Sequence, residues 1–168
     1  ISIASYNVEA SLKETLDSLI IDQETLKKLE VFIVNDGSKD KTSEIAMEYC
    51  AKYPDSFFLI NKQNGGYGST INAALKAATG KYFRLLDGDD WYFTEQLQSY
   101  LAFLESTDAD LVVTPYVEFY EDIKTEKLWD RHLLEPLKVQ ELENLNFSEL
   151  KDLKMHELAS KTSMMKEH

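Results

Sequence analysis

Two short acidic stretches hold the side chains most able to do chemistry. The first is Val34-Asn35-Asp36-Gly37-Ser38 and the second is Leu85-Leu86-Asp87-Gly88-Asp89-Asp90-Trp91. Each follows an apolar run and precedes a helical periodicity. Carboxylates just past the ends of two strands face one crevice when those strands lie parallel in one sheet, and that crevice is where wound α/β sheets bind ligands. Asp87, Asp89 and Asp90 lie within four residues. They repel one another unless a cation sits among them, and a hard divalent ion with oxygen ligands is the natural partner. The alternative is a solvated turn in which Asp90 caps a helix. The apolar lead-in Tyr82–Leu86 and the aromatic run Trp91-Tyr92-Phe93 argue against it.

Asp36 can accept a hydrogen bond from a base edge or a ribose hydroxyl. It can equally be a turn residue, since Asp, Gly and Ser are common between strand and helix. As a ligand contact it is expected at a solvent-facing strand end, dispensable for folding. The segment Asn64-Gly65-Gly66-Tyr67-Gly68-Ser69 opens a helix. Its glycines let backbone approach a ligand, and a helix N-terminus attracts phosphate. Its spacing matches neither a Walker loop nor G-x-G-x-x-G, and a plain flexible loop is the other reading. Arg84 and Lys62 are candidates for a diphosphate, or else a sheet-face residue and an exposed lysine. His156 is more simply a structural or exposed histidine than a ligand.

These groups need elements to position them. Apolar runs at Ile1–Ala4, Val31–Val34, Phe57–Ile60, Tyr82–Leu86 and Leu111–Val113 predict five strands. Helical spacing links Leu12, Leu16 and Leu19, then Ile45 and Tyr49, then Ile71, Leu75 and Ala78, then Leu97, Leu101 and Leu104. Asp40 or Thr42 and Thr94 are candidate helix starts, and Gly80 a stop. Five strands alternating with four helices predict an α/β fold, an open and mostly parallel sheet wound on both faces. Residues 1–115 form that core. Residues 116–168 are expected to hold a hairpin, Val117–Tyr120 against Lys127–Trp129, then irregular chain with a short helix near Phe147–Leu150.

A formal net charge of −12 argues against a nucleic-acid partner, because phosphate backbones call for Lys and Arg. The lone Cys50 offers no disulfide framework. It predicts the reducing cytoplasm, with a peripheral place at the membrane's inner face as a variant. No apolar run approaches the ~20 residues of a membrane span. Ile1 is not Met and already reads as strand, so a trimmed N-terminus is expected.

In order and spacing, five pieces resemble family 2 glycosyltransferases of the GT-A fold. They are Ile3-Ala4-Ser5-Tyr6-Asn7-Val8-Glu9, Asn35-Asp36-Gly37-Ser38-Lys39-Asp40, Gln63-Asn64-Gly65-Gly66, Ala77-Ala78-Thr79-Gly80-Lys81-Tyr82 and Leu86-Asp87-Gly88-Asp89-Asp90-Trp91. A later stretch, Met155-His156-Glu157-Leu158 with Lys161-Thr162, resembles a segment of some members. The resemblance implies a Rossmann-like GT-A sheet and inverting transfer of a sugar from a nucleotide-sugar, commonly a UDP-sugar, to an acceptor that is a glycan, a lipid-linked carrier or a protein. It implies that Ala4 and Tyr6 flank the uracil and that Asp36 meets the base. Asn64 and Gly65 line the nucleotide loop, and Asp87 and Gly88 lie by the nucleotide. Asp89 with Asp87 holds Mn²⁺ or Mg²⁺, and Asp90 and Trp91 face the donor sugar. Members often carry Pro at the position of Ala4 and Arg at that of Ile71. The catalytic base is expected beyond His168 in a longer chain, with Glu157 and Asp90 as weaker candidates. The rivals are a nucleotide-sugar-binding fragment without turnover, a haloacid-dehalogenase-type phosphatase and a nucleotidyltransferase. The phosphatase would carry its Asp-x-Asp after the first strand. The nucleotidyltransferase would carry a Gly-rich basic loop there.

Overall fold

In the computed structural model of the chain, the described residues are 1–114 and the backbone of Tyr116–Tyr120 and Thr125–Trp129. The chain divides into two units, Ile1–Glu105 and Ser106–His168. The first carries β1 (Ser2–Ser5), α1 (Leu12–Asp17), α2 (Gln23–Leu26), β2 (Val31–Asn35), α3 (Thr42–Lys52), β3 (Phe57–Asn61), α4 (Tyr67–Ala77), β4 (Leu85–Asp87) and nearly all of α5 (Thr94–Ser106). The strands are parallel and ordered β3-β2-β1-β4.

Strand periodicity sorts the core. Ile3, Val31, Ile33, Phe57 and Leu86 face one side and pack with Leu12, Leu16, Ala46, Tyr49 and Leu97. Phe32 and Val34 face the other and meet Ala74 of α4. All five residues of β2 are buried, as expected for a parallel strand covered on both faces. The chain runs β1 to β2 to β3 in one direction, then returns to place β4 on the far side of β1. That reversal puts the switch point at the carboxyl ends of β1 and β4.

Four expectations need correction. Leu111–Val113 is not a strand, because no backbone among the described residues pairs with it. β4 is shorter than the run Tyr82–Leu86, and only Leu85–Asp87 is laddered to β1. The α4 stripe through Ile71, Leu75 and Ala78 is not the buried one. Thr70 and Ala74 are buried, while Leu75 is exposed. Small residues let this helix sit close against β1 and β2, and larger neighbours are left at its flanks. Asp22 caps α2, a turn of helix with no apolar period to announce it, by accepting from the Thr25 N–H at 3.0 Å.

In the second unit β5 (Tyr116–Tyr120) and β6 (Thr125–Trp129) pair antiparallel, which is the expected hairpin with both strands longer than predicted, and Tyr116 lies opposite Trp129. Residues 147–150, His156 and Glu157 lie outside the described residues. No helix among the described residues is long and apolar enough to cross a membrane.

Candidate donor-binding site

The carboxyl ends of β1, β2 and β4 are joined residue by residue. Ala4 lies between Val34 on one side and Asp87 on the other. The Asp36 N–H donates to the Ser5 carbonyl at 2.9 Å, and the Gly88 N–H to the Ala4 carbonyl at 3.2 Å. Gly88 is close-packed there. A Cβ would come within 3.0 Å of Val8 Cγ2 and 3.1 Å of the Ala4 oxygen. Ser11 Oγ donates to the Gly88 carbonyl at 2.8 Å. The two acidic motifs therefore flank one strand, β1, as the crevice argument requires.

The β1 and β2 loops are also tied together. Asn7 takes a left-handed backbone, φ 54°, which Asn tolerates better than most residues. Its N–H donates to Ser38 Oγ at 3.0 Å, and its Oδ1 accepts from the Lys39 N–H at 2.8 Å. Thr42 Oγ1 accepts from the Val8 N–H, and Asp40 accepts from the N–H groups of Glu9 and Thr42. Lys41 N–H closes the set on Glu9. No single residue pattern announces this lacing, because the partners joined across the two loops lie 31 to 34 positions apart.

Asp36 is not solvent-facing. It is 4% exposed, and its carboxylate accepts from Lys62 Nζ, from the Gly65 N–H at 3.0 Å and from the Gly66 N–H at 2.9 Å. Burial pushes its pKa up, but Lys62 and the two amides outweigh this and hold it below the ordinary carboxylate value. Lys62 is thus neither simply exposed nor free for a diphosphate. Its ammonium also donates to the Gln63 carbonyl at 2.7 Å and to Ser69 Oγ at 2.8 Å. The glycine loop turns its amides toward Asp36 rather than outward. Gly66, at φ 79°, then caps α4.

Acid should loosen this arrangement. A carboxylate whose pKa is lowered by folding contributes stability above its unfolded value and loses it as pH falls through the folded one. The Asp36 contribution is therefore complete above about pH 5 and declines through ~3.9 toward the lowered value. Stability measured by urea unfolding across that range should fall more steeply for the native chain than for Asp36→Asn. Parallel declines would show that folding does not perturb Asp36.

At the other acidic motif, Asp87 is half-buried while Asp89 and Asp90 are exposed. The Asp90 N–H donates to the Asp87 carbonyl at 3.1 Å, which closes the turn. Tyr67 is the first residue of α4. Burial, then the Asp87 and Asp90 charges, push the Tyr67 phenol up to about 12. Ala4 is half-buried in the ladder, Tyr6 is exposed at the end of β1, and Asn64, Gly65 and Trp91 are exposed. Arg84 is placed away from the crevice. It precedes β4, three residues and ~10 Å before Asp87, with its guanidinium over the rings of Tyr92 and Tyr100 at 5.5 and 5.9 Å. It is a sheet-face residue.

Among the described residues no three His, Cys, Asp or Glu gather into a ligand cage. Asp87 and Asp89 instead offer a small set of hard oxygens. Mg²⁺ characteristically takes one or two carboxylates and completes its shell with water and substrate phosphate. The donor set therefore fits a divalent ion that arrives with a diphosphate.

Comparison with known proteins agrees with this geometry. The model of glycosyl transferase family 2 matches residues 1–166, and the chain belongs to that family. It is 35% identical over 125 residues to the uncharacterized glycosyltransferase EpsJ of Bacillus subtilis, covering 74% of this chain and 36% of EpsJ. It is 37% identical over 112 residues to the minor teichoic acid biosynthesis protein GgaB of the same organism, covering 66% of this chain and 12% of GgaB. The chain thus spans about a third or less of these curated relatives. Among solved structures, S. aureus TarS 1-349 in complex with UDP-GlcNAc superposes with a TM-score of 0.59 at 31% identity, over 66% of this chain and 32% of that one. The mannosyltransferase PcManGT from Pyrobaculum calidifontis, in complex with GDP-Man and Mn²⁺, has a TM-score of 0.57 at 20% identity, over 80% of this chain and 45% of that one, and shares the fold. The sheet is the GT-A glycosyltransferase type. Its Asp-x-Asp follows β4 and not β1, against the phosphatase reading.

Proposed function

We propose that the chain is the donor-binding part of a transferase that moves a sugar from a UDP-sugar to an acceptor hydroxyl with inversion. The observation that carries this reading is the convergence of Asp36 and Asp87 on either side of β1, with the segment Lys62–Gly66 anchored on Asp36. The superposition on a UDP-GlcNAc complex supports the choice of uridine.

In this reading Ala4 and Tyr6 flank the base. Asp36 has used three of its roughly four acceptor positions on Lys62 and the loop amides, and the remaining one meets a base N–H. Asn64 and Gly65 border the nucleotide, with Gly88 packed so closely on β1 that the acidic turn stays in register with it. Asp89 and Asp87 would hold Mn²⁺ or Mg²⁺, which when bound supplies Lewis-acid neutralisation of the departing diphosphate. Asp90 and Trp91 face the sugar. The strand ends and their lacing fix the nucleotide, which orients the anomeric carbon for in-line attack. The acceptor proton passes to a general base, and the half-buried free Cys50 accords with a reducing cytoplasm.

A thermal-shift panel of UDP, GDP, ADP and CDP tests the assignment. Ligand at ~100 times its Kd stabilises by ~2.7 kcal/mol, which raises Tm by roughly 5–10 °C in a domain of this size. UDP with Mn²⁺ should produce that shift, and the other nucleotides markedly less. A larger shift with GDP would transfer the assignment to a guanosine donor.

A further inference from the structure

The acidic turn is fastened at both ends to one helix. Ser11 and Ser18 are the two caps of α1. A spacing from 11 to 18 is close to two helical turns, so both serines lie on one face of α1, roughly 10 Å apart along its axis. A serine at a helix start ordinarily turns its hydroxyl to the first free amides. Ser11 does not cap α1 in this way. Its hydroxyl donates instead to the Gly88 carbonyl at 2.8 Å. At the other end the buried Ser18 hydroxyl donates to the Thr15 carbonyl at 2.6 Å and accepts from the Tyr92 N–H at 3.1 Å. The Ser18 carbonyl accepts from the hydroxyl of Thr94, the first residue of α5, at 2.9 Å. Asp89, Asp90 and Trp91 lie between these fastenings, and all three are exposed. Burial therefore does little to fix them. The helix that holds them is itself fixed in the core, with Leu12 and Leu16 fully buried.

From this double fastening we infer that Ser11 and Ser18 are positioning residues. They set the shape of the acidic turn, and through it the place of Asp89, so that its carboxylate meets the cation and diphosphate of the donor. The inference rests on the donor reading above. Each serine acts through the backbone, at Gly88 just before Asp89 and at Tyr92 just after Trp91. A turn that wanders must be ordered when the ligand arrives, and that cost is subtracted from affinity. Holding the turn beforehand removes the cost. The base contacts lie on the Asp36 side of β1, so affinity without the metal should be indifferent to the two hydroxyls.

The test is calorimetric titration of UDP into the native chain, Ser11→Ala, Ser18→Ala and the double variant, each with Mn²⁺ and with EDTA. Each single variant is expected to lose about fivefold in affinity with Mn²⁺, the worth of one ordinary hydrogen bond, and the double variant more, while all match the native chain in EDTA. Amide hydrogen exchange of the metal-free chain gives a second reading. The Asp90 N–H closes the turn on the Asp87 carbonyl, a bond that neither serine makes. It should exchange faster in both single variants, with the amides of β1 and β2 unchanged. Native affinity with Mn²⁺, an equal loss with and without the metal, or native exchange at Asp90 would overturn the inference. Failure of the donor reading would show separately, as a native chain indifferent to Mn²⁺, and would remove the inference with it.

Discussion

Asp36→Ala is expected to cost about 3 kcal/mol of stability and to abolish measurable uridine nucleotide binding, a double effect that a simple contact residue would not show. Truncating one partner of a buried ion pair typically costs ~3–5 kcal/mol, because the other charge is left without compensation. Here Lys62 keeps 21% of its side-chain exposure, so water recovers part of the loss and the lower end applies. The Gly65 and Gly66 amides lose their acceptor in the same step, and the loop that borders the nucleotide loses its anchor. Urea unfolding measures the first effect and UDP titration the second. A variant with native stability would show that the loop holds its place without Asp36. A variant that is destabilised yet binds UDP normally would make Asp36 purely structural.

Much of this fold was legible in the sequence, for a plain physical reason. Buried parallel strands such as Val31–Val34 are continuous apolar runs, and the turns after them carry Asp and Gly in a recognisable order. The sequence therefore predicts the carboxyl-end placement of Asp36 and Asp87. What it conceals is how their lone pairs are spent. The partners of Asp36 lie 26 to 30 residues away, and nothing local distinguishes a carboxylate that meets a ligand from one that pins a loop. Lys62 illustrates the same gap, since a lysine beside a glycine loop reads equally as a phosphate contact. The fifth parallel strand absent among the described residues and the misjudged face of α4 share one cause. Apolar spacing reports which residues prefer burial, whereas the neighbour that buries them is a tertiary fact, and α4 presents Thr70 and Ala74 because small residues fit the approach.

Asp89→Ala should leave the fold intact, since an exposed turn substitution typically changes stability by no more than ~0.5 kcal/mol and Asp89 is exposed. Its effect should fall almost wholly on binding. If Asp89 with Asp87 holds a divalent ion between the turn and a diphosphate, the ion strengthens nucleotide binding only while that carboxylate is present. The most direct measurement of the central claim is UDP affinity by calorimetry, with Mn²⁺ and with EDTA, for the native chain and for Asp89→Ala. The native chain should bind UDP at least about tenfold more tightly with Mn²⁺, a difference of ~1.4 kcal/mol, and Asp89→Ala should bind equally weakly in both. Equal affinity of the native chain in Mn²⁺ and EDTA would contradict a metal-assisted nucleotide-sugar site at these strand ends.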